Sequence, residues 1–383
     1  MEDDDSDDDL WDPAGRANSK PDASVTPELF KTWRSPRFGL SNPERMNNPV
    51  WEWLVRCRVS AYWANKEFEG PHSSEAGPCW CFRRFGQSKT KLPDGRVVLI
   101  GGEHEDFYDP DFYIYNDVVV RHPDGGIEIY GYPEEVFAPT DSHSATLLDD
   151  CIVVVGCLGY PQMRKYGTTP VYRLDLRSFS IRAMDCTGEA PGWLHKHDAA
   201  YVPQENAIVF TGGLVERGDP DRPGLVENID DWKLHLAERR WERLTRRGWK
   251  RWDIRSIDGA ANELSSINSA HMFKDWTNKG GQEIFEMHME SLEENLGFRP
   301  DLALYEKLYA PPVPHEAIPD KEGEFQVRRI NVNGVVVRYN EDMWAVRVTV
   351  EGDLPTSVTD TIVSDFVNKL SALEQKPFES IRL

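Results

Sequence analysis

Three short apolar runs, each ending on a glycine, recur at a nearly constant interval and set the tightest limit on what this chain can fold into. "RVVLIGG" ends at Gly101 and Gly102, "CIVVVGC" at Gly156 and Cys157, and "AIVFTGG" at Gly212 and Gly213, so the first glycines stand 55 and 56 residues apart. A second landmark keeps the same step upstream: Gln87 in "FGQSKT", His143 in "DSHSAT" and His197 in "HKHDAA". Two landmarks on one period mark an internal repeat. Downstream of each glycine come a loop, an apolar strand with an aromatic nearby ("IYNDVVV", "PVYRLDL", "DDWKLHL"), a short turn and another strand ("GGIEIYG", "SFSIRAM", "RRWERL"). Each unit therefore predicts four short strands. The glycines permit positive φ and close backbone approach where a strand bends beside its neighbour.

This unit resembles the kelch repeat of β-propellers, the blade type of galactose oxidase, at the glycine pair, the strand aromatic and the later tryptophan, best seen in Trp232 followed by Trp241. The resemblance covers about residues 83–250, and Cys157 departs from it by standing where the unit has its second glycine. It implies a mainly β fold, a kelch-type propeller-like array, in a bacterial-type cytoplasmic member of the family. A closed propeller needs about four to eight blades, and three are visible. Closure then calls for degenerate blades elsewhere, for other segments, or for oligomerisation that completes the array.

The flanks read differently. The run 2–9, "EDDDSDDD", puts seven carboxylates in eight residues, too much self-repulsion and too little apolar surface to fold, so 1–46 is expected to be an acidic disordered tail and extended lead. Residues 47–82 are expected to be helical, with Asn48 as N-cap, Pro49 as the first helical residue, and Val50, Leu54, Cys57 and Ala61 on one face. A helical connector follows over 251–310, in which Phe285, Met289, Leu292 and Leu296 share helical spacing and Gly297 stops the helix. A proline-rich joint over 311–321 leads to a small C-terminal α+β domain, 322–383, with a hairpin turn at Asn333 and Gly334 and a helix whose buried stripe is Val358, Ile362, Phe366, Leu370 and Leu373.

Charge narrows the classes of function. Lys and Arg total 44 against 65 Asp and Glu, a net charge of −21, whose field repels phosphate backbones and anionic lipid and draws basic proteins. No apolar stretch reaches the roughly 18–20 residues of a membrane span, and the acidic start is unlike a signal peptide, so the chain reads as cytoplasmic. Six cysteines are too sparse for a disulfide framework. Cys79 and Cys81 with His72 would supply three zinc ligands, but the Cys-x-Cys spacing has no matching second pair, so neither metal nor cofactor is assigned.

The loop after Gly102 carries Glu103, His104, Glu105, Asp106, Asp109 and Asp111. Their order does not match a calcium loop, which alternates ligands around a central glycine. Loops on a rigid β scaffold are where such scaffolds bind, so these residues are read as a partner-binding rim. Trp193 and His195 in "PGWLHKHDAAY" join them as binding candidates, because Trp commonly anchors interfaces. His143 and His197, at the repeated position, are assigned an internal hydrogen bond instead.

The function expected on these grounds is a protein-binding scaffold, an acidic inhibitor or immunity-like protein that takes a basic partner such as a toxin. Two alternatives stand beside it. Kelch enzymes include copper oxidases, with Tyr and His ligands beside a Cys cross-link, and sialic-acid epimerases, so a sugar-like substrate is the enzymatic reading; both classes are usually exported, and their catalytic residues cannot be placed here. No G-x-S-x-G elbow, P-loop or dinucleotide fingerprint occurs at a strand-to-helix turn. The stretch 238–252, "ERRWERLTRRGWKRW", mixes seven Arg or Lys with Trp241, Trp249 and Trp252, a composition that stacks on and neutralises nucleic acid, against which the global charge weighs.

Overall fold

A computed structural model describes residues 25–70, 77–105, 112–216, 224–320 and 326–383. The chain divides into two compact units, Met1–Arg246 and Arg247–Leu383.

In the first unit the three glycine-ended runs are the strands Val97–Ile100, Cys151–Val155 and Ala207–Thr211. Each pairs antiparallel on one side with the strand that follows the upstream landmark, namely Ser88–Lys91, Ser144–Leu147 and Asp198–Val202. On the other side lie Val118–Arg121, Val171–Asp175 and Trp232–His235, and then Ile127–Gly131, Ile181–Ala183 and Arg240–Arg243 complete each meander. The first sheet gains a fifth strand, Glu44–Arg45, paired with Ile127–Gly131.

Alternation along the strands decides what is buried. Val98, Ile100, Val118 and Val120 of the first sheet share a core with Ile152, Val154, Leu174 and Ile181 of the second. The other face of the second sheet, through Cys151, Val153 and Val155, packs on Ile208, Phe210, Trp232, Leu234 and Trp241 of the third. A buried Val or Ile contributes about 1.5–3 kcal/mol, and a one-residue slip would exchange the faces, so the register is well specified. The outer face of the first sheet, Leu99, Val119 and Ile129, is covered by the helices Pro27–Trp33, Pro49–Cys57 and Ala61–Glu67. Among the described residues no core joins the third sheet back to the first, and the described strands form no closed ring.

Among the described residues, the stretch expected to be helical over 47–82 holds the helices Pro49–Cys57 and Ala61–Glu67. Asn48 caps the first, its side chain accepting from the Val50 and Trp51 N–H groups at 3.0 and 3.1 Å. Arg58 then turns left-handed at φ 54, and Ser60 caps the second.

The second unit is a six-stranded sheet in the order Glu316–Ile318, Val327–Val332, Val335–Glu341, Val346–Val350, Lys250–Ser256, Phe378–Arg382. Asn333 at φ 52 and Gly334 at φ 84 form the tight hairpin that joins its second and third strands. Helix Thr356–Glu374 buries Ile362, Phe366, Leu370 and Leu373 in the same core as Met289 and Leu292 of helix Lys279–Leu296. The small α+β segment expected from residue 322 thus shares its sheet and core with residues 247–310. Strand Lys250–Ser256 is the cause, since it sits between two strands of the C-terminal segment and contributes the fully buried Ile254. No helix among the described residues is long and apolar enough to cross a membrane.

Candidate functional site

One end of the three sheets, where the glycines lie, is built from the same contacts made twice. Gly86, Ser142 and Lys196 stand immediately before Gln87, His143 and His197, and all three are left-handed, at φ 61, 54 and 53. This geometry lets the Ser142 N–H donate to the Gly86 carbonyl at 2.7 Å and the Lys196 N–H donate to the Ser142 carbonyl at 2.8 Å. His143 Nε2 shares a 2.8 Å hydrogen bond with Ser88 Oγ, and His197 Nε2 shares one of 2.8 Å with Ser144 Oγ. Each imidazole therefore ties its own sheet to the one before. Gln87, with no earlier sheet to reach among the described residues, turns back to donate to the Gly101 carbonyl at 3.2 Å. Burial holds both histidines neutral, His143 pushed down to about 3 and His197 to about 4.

The glycines complete the joint. The Gly102 N–H donates to the Thr140 carbonyl at 2.8 Å and the Cys157 N–H to the Leu194 carbonyl at 3.0 Å. A Cβ on Gly101 or Gly156 would stand 2.2 or 2.1 Å from those same carbonyl oxygens. Cys157 fits where a second glycine was expected because, unlike Gly102 at φ 91 and Gly213 at φ 82, it is not left-handed.

The acidic loop begins in a two-residue strand, Glu103–His104, paired antiparallel with Tyr113–Ile114. The Ile114 N–H donates to the Tyr160 hydroxyl at 2.9 Å, which ties this strand pair to the loop of the second sheet. Glu103 is half-buried, Glu105 is exposed, and His104 is buried at 8% exposure; Asp106, Asp109 and Asp111 lie outside the described residues. Burial, and after it the Asp141 carboxylate, push Glu103 above the usual carboxylate range. Asp141 is itself buried and raised, accepting from the Gly159 N–H at 2.9 Å and the Ser142 hydroxyl at 3.1 Å. Among the described residues Glu103 has no cation bonded to it.

Trp193 and His195 are enclosed rather than presented. The Trp193 Nε1–H donates to the Leu158 carbonyl at 3.0 Å, and His195 is 1% exposed with neither ring nitrogen hydrogen-bonded. Burial and the neighbouring Lys196 and Arg164 push His195 down to about 4, so its imidazole is neutral. Both side chains are withheld from any partner that meets the surface. Asp141 occupies the repeat position of His195, two residues before the landmark histidine, and that equivalence was the signal that could have found it.

A buried ion pair was not legible in "CFRRFG". Arg84, with a fully buried side chain, forms a two-pronged pair with Asp117, donates to the Cys81 and Gly101 carbonyls, and lies 3.4 Å from the centre of the Tyr115 ring. Asp117 also accepts from the Trp80 indole at 2.8 Å. In the basic, tryptophan-rich stretch Trp241 is buried between the second and third sheets, while Arg243 pairs with Asp230 and Glu189 and Arg246 pairs with Glu189. Those two cations are engaged with the protein's own carboxylates. Cys79 and Cys81 are buried, His72 lies outside the described residues, and among the described residues no three His, Cys, Asp or Glu side chains gather as metal ligands.

No protein-family model matches the chain, and no curated protein matches it.

Proposed function

We propose that this chain is a kelch-like protein-binding scaffold whose glycine-end loops take a basic partner protein, with the acidic loop that begins at Glu103 as the steering surface. The observation that carries the reading is Glu103 itself. A carboxylate that is half-buried, beside Asp141, and without a bonded cation among the described residues is held in an unfavourable state that a Lys or Arg of a partner would relieve. The net charge of −21 adds a long-range attraction for such a partner. An inhibitor of a basic, nucleic-acid-directed toxin would suit this charge.

The test is affinity purification with the whole chain from its native cell, followed by association kinetics with what is captured at two salt concentrations. Replacing Glu103 and Glu105 with Gln, and Asp106, Asp109 and Asp111 with Asn, is expected to slow association and flatten its salt dependence while leaving dissociation nearly unchanged. An unchanged rate and salt slope would remove the acidic loop from the binding surface.

A further inference from the structure

Each contact that joins one sheet to the next has a counterpart on the third sheet that no described residue uses. The Gly86 and Ser142 carbonyls accept from the next sheet's backbone, whereas among the described residues the Lys196 carbonyl accepts from no backbone N–H. The Gly102 and Cys157 N–H groups are taken up by the Thr140 and Leu194 carbonyls, while the Gly213 N–H has no backbone acceptor among the described residues. Gly101 and Gly156 are pressed by those carbonyls, yet Gly212, in the same conformation at φ 63, has nothing within 4 Å. Ser88 and Ser144 meet the next imidazole, and the third member of that series is Asp198, which is exposed and whose side chain has no hydrogen bond or ion pair among the described residues.

We propose that the glycine end of the third sheet is a docking socket for a basic segment of a partner protein, seated there as residues 140–143 seat on the first sheet and 194–197 on the second. The two filled joints define what fits. One residue gives its carbonyl to the Gly213 N–H, over Gly212. The residue two further on is left-handed and gives its N–H to the Lys196 carbonyl, which favours Gly or Asn. The next residue reaches the Asp198 position with its side chain. A serine there suits a neutral imidazole; an aspartate changes the complement to Arg, Lys or protonated His. Main-chain hydrogen bonds would supply affinity and the cation specificity, as in other edge-docked peptides. A second copy of this chain is a poorer occupant, because its first-sheet segment brings Gln87, a neutral side chain, to the position that must supply a cation to Asp198.

The inference rests on the binding-scaffold reading in taking the occupant to be a basic protein, but its residues are not those of the acidic loop. The probe is a labelled synthetic peptide with the sequence of residues 138–147 carrying Ser142→Gly and His143→Arg, titrated into the whole chain by fluorescence anisotropy. Saturable binding is expected, weakened about tenfold or more by Asp198→Ala, the loss that follows from removing a charged hydrogen-bond acceptor. Gly212→Ala is expected to weaken it comparably by filling the clearance, and the peptide that keeps His143 is expected to bind measurably below about pH 6.5 and poorly above it. The Glu103→Gln, Glu105→Gln double variant should bind the peptide as the unaltered chain does, which separates this outcome from that of the acidic loop. Absence of saturable binding, or equal binding by Asp198→Ala, would overturn the proposal, as would its loss in the double variant. A concentration-dependent dimer abolished by Asp198→Ala would replace the partner by a second copy.

Discussion

Alanine at Gly156 and at Gly212, compared one against the other, measures the joint between the second and third sheets. Both glycines are left-handed, at φ 74 and 63, so each substitution carries the same backbone cost of about 1–2 kcal/mol. The surroundings differ. At Gly212 the added Cβ meets open space, whereas at Gly156 it would stand 2.1 Å from the Leu194 oxygen, and ordinary contact begins at 3.4 Å. The Leu194 carbonyl must withdraw by more than an ångström, which breaks its 3.0 Å hydrogen bond from the Cys157 N–H. Leaving that buried donor unpaired adds about 1–3 kcal/mol. Gly156→Ala is therefore expected to destabilise the first unit by about 2–5 kcal/mol and Gly212→Ala by about 1–2. Urea titration read by hydrogen exchange in strands Cys151–Val155 and Ala207–Thr211 isolates that unit from the other. If the two variants agree within about 0.5 kcal/mol, the size of an ordinary surface change, the Leu194 carbonyl does not define the joint.

Two further outcomes are expected. Asp117→Asn leaves the Arg84 guanidinium buried beside a neutral group and should cost about 3–5 kcal/mol, while Arg84→Met with Asp117→Leu should recover a good part of that loss in thermal unfolding; no recovery would mean that the Trp80 and carbonyl contacts, not the pair, stabilise the site. His143, His195 and His197 have folded pKa values of about 3, 4 and 4, below the ordinary value of 6.5, so between pH 6.5 and 4 the unfolded chain binds more protons and stability falls as pH falls, with no contribution from these groups above pH 6.5. His197→Gln, the residue type found at position 87, should flatten that fall in a series of melting curves, and an unaltered pH slope would count against the buried neutral imidazole.

The parts of the fold that could be read from the sequence are those fixed by local backbone chemistry. The 55-residue step is legible because each joint requires a glycine at the strand end, and the same local logic made Asn48, Gly297 and the Asn333–Gly334 turn visible. Contacts between distant segments leave no such trace. Glu44 and Arg45 are two charged residues that become a strand only because Ile127–Gly131 offers them an edge. Lys250–Ser256 continues the basic stretch without a break, and its place between strands from the far end of the chain follows from pairing partners about 100 residues away. At the candidate site, Glu103 and Glu105 are singled out in the sequence by their carboxylates, while Trp193 reads there as a surface anchor because residue type says nothing about the Leu158 carbonyl that receives its indole N–H. Asp141 and Arg84 were passed over for the same reason, each being defined by what the fold brings to it.

The repeated joint also bears on how such a chain can change its length. Because the acceptors that one sheet offers, a carbonyl, a serine hydroxyl and the space above a glycine, match the donors and carbonyl that the next one brings, a duplicated segment of about 55 residues inserted between the second and third sheets would find both of its neighbours already fitted to it. Unequal crossing-over within such a gene would then yield longer relatives without a new core having to evolve, and Asp198, which breaks the serine series, would travel outward with whichever unit remained last.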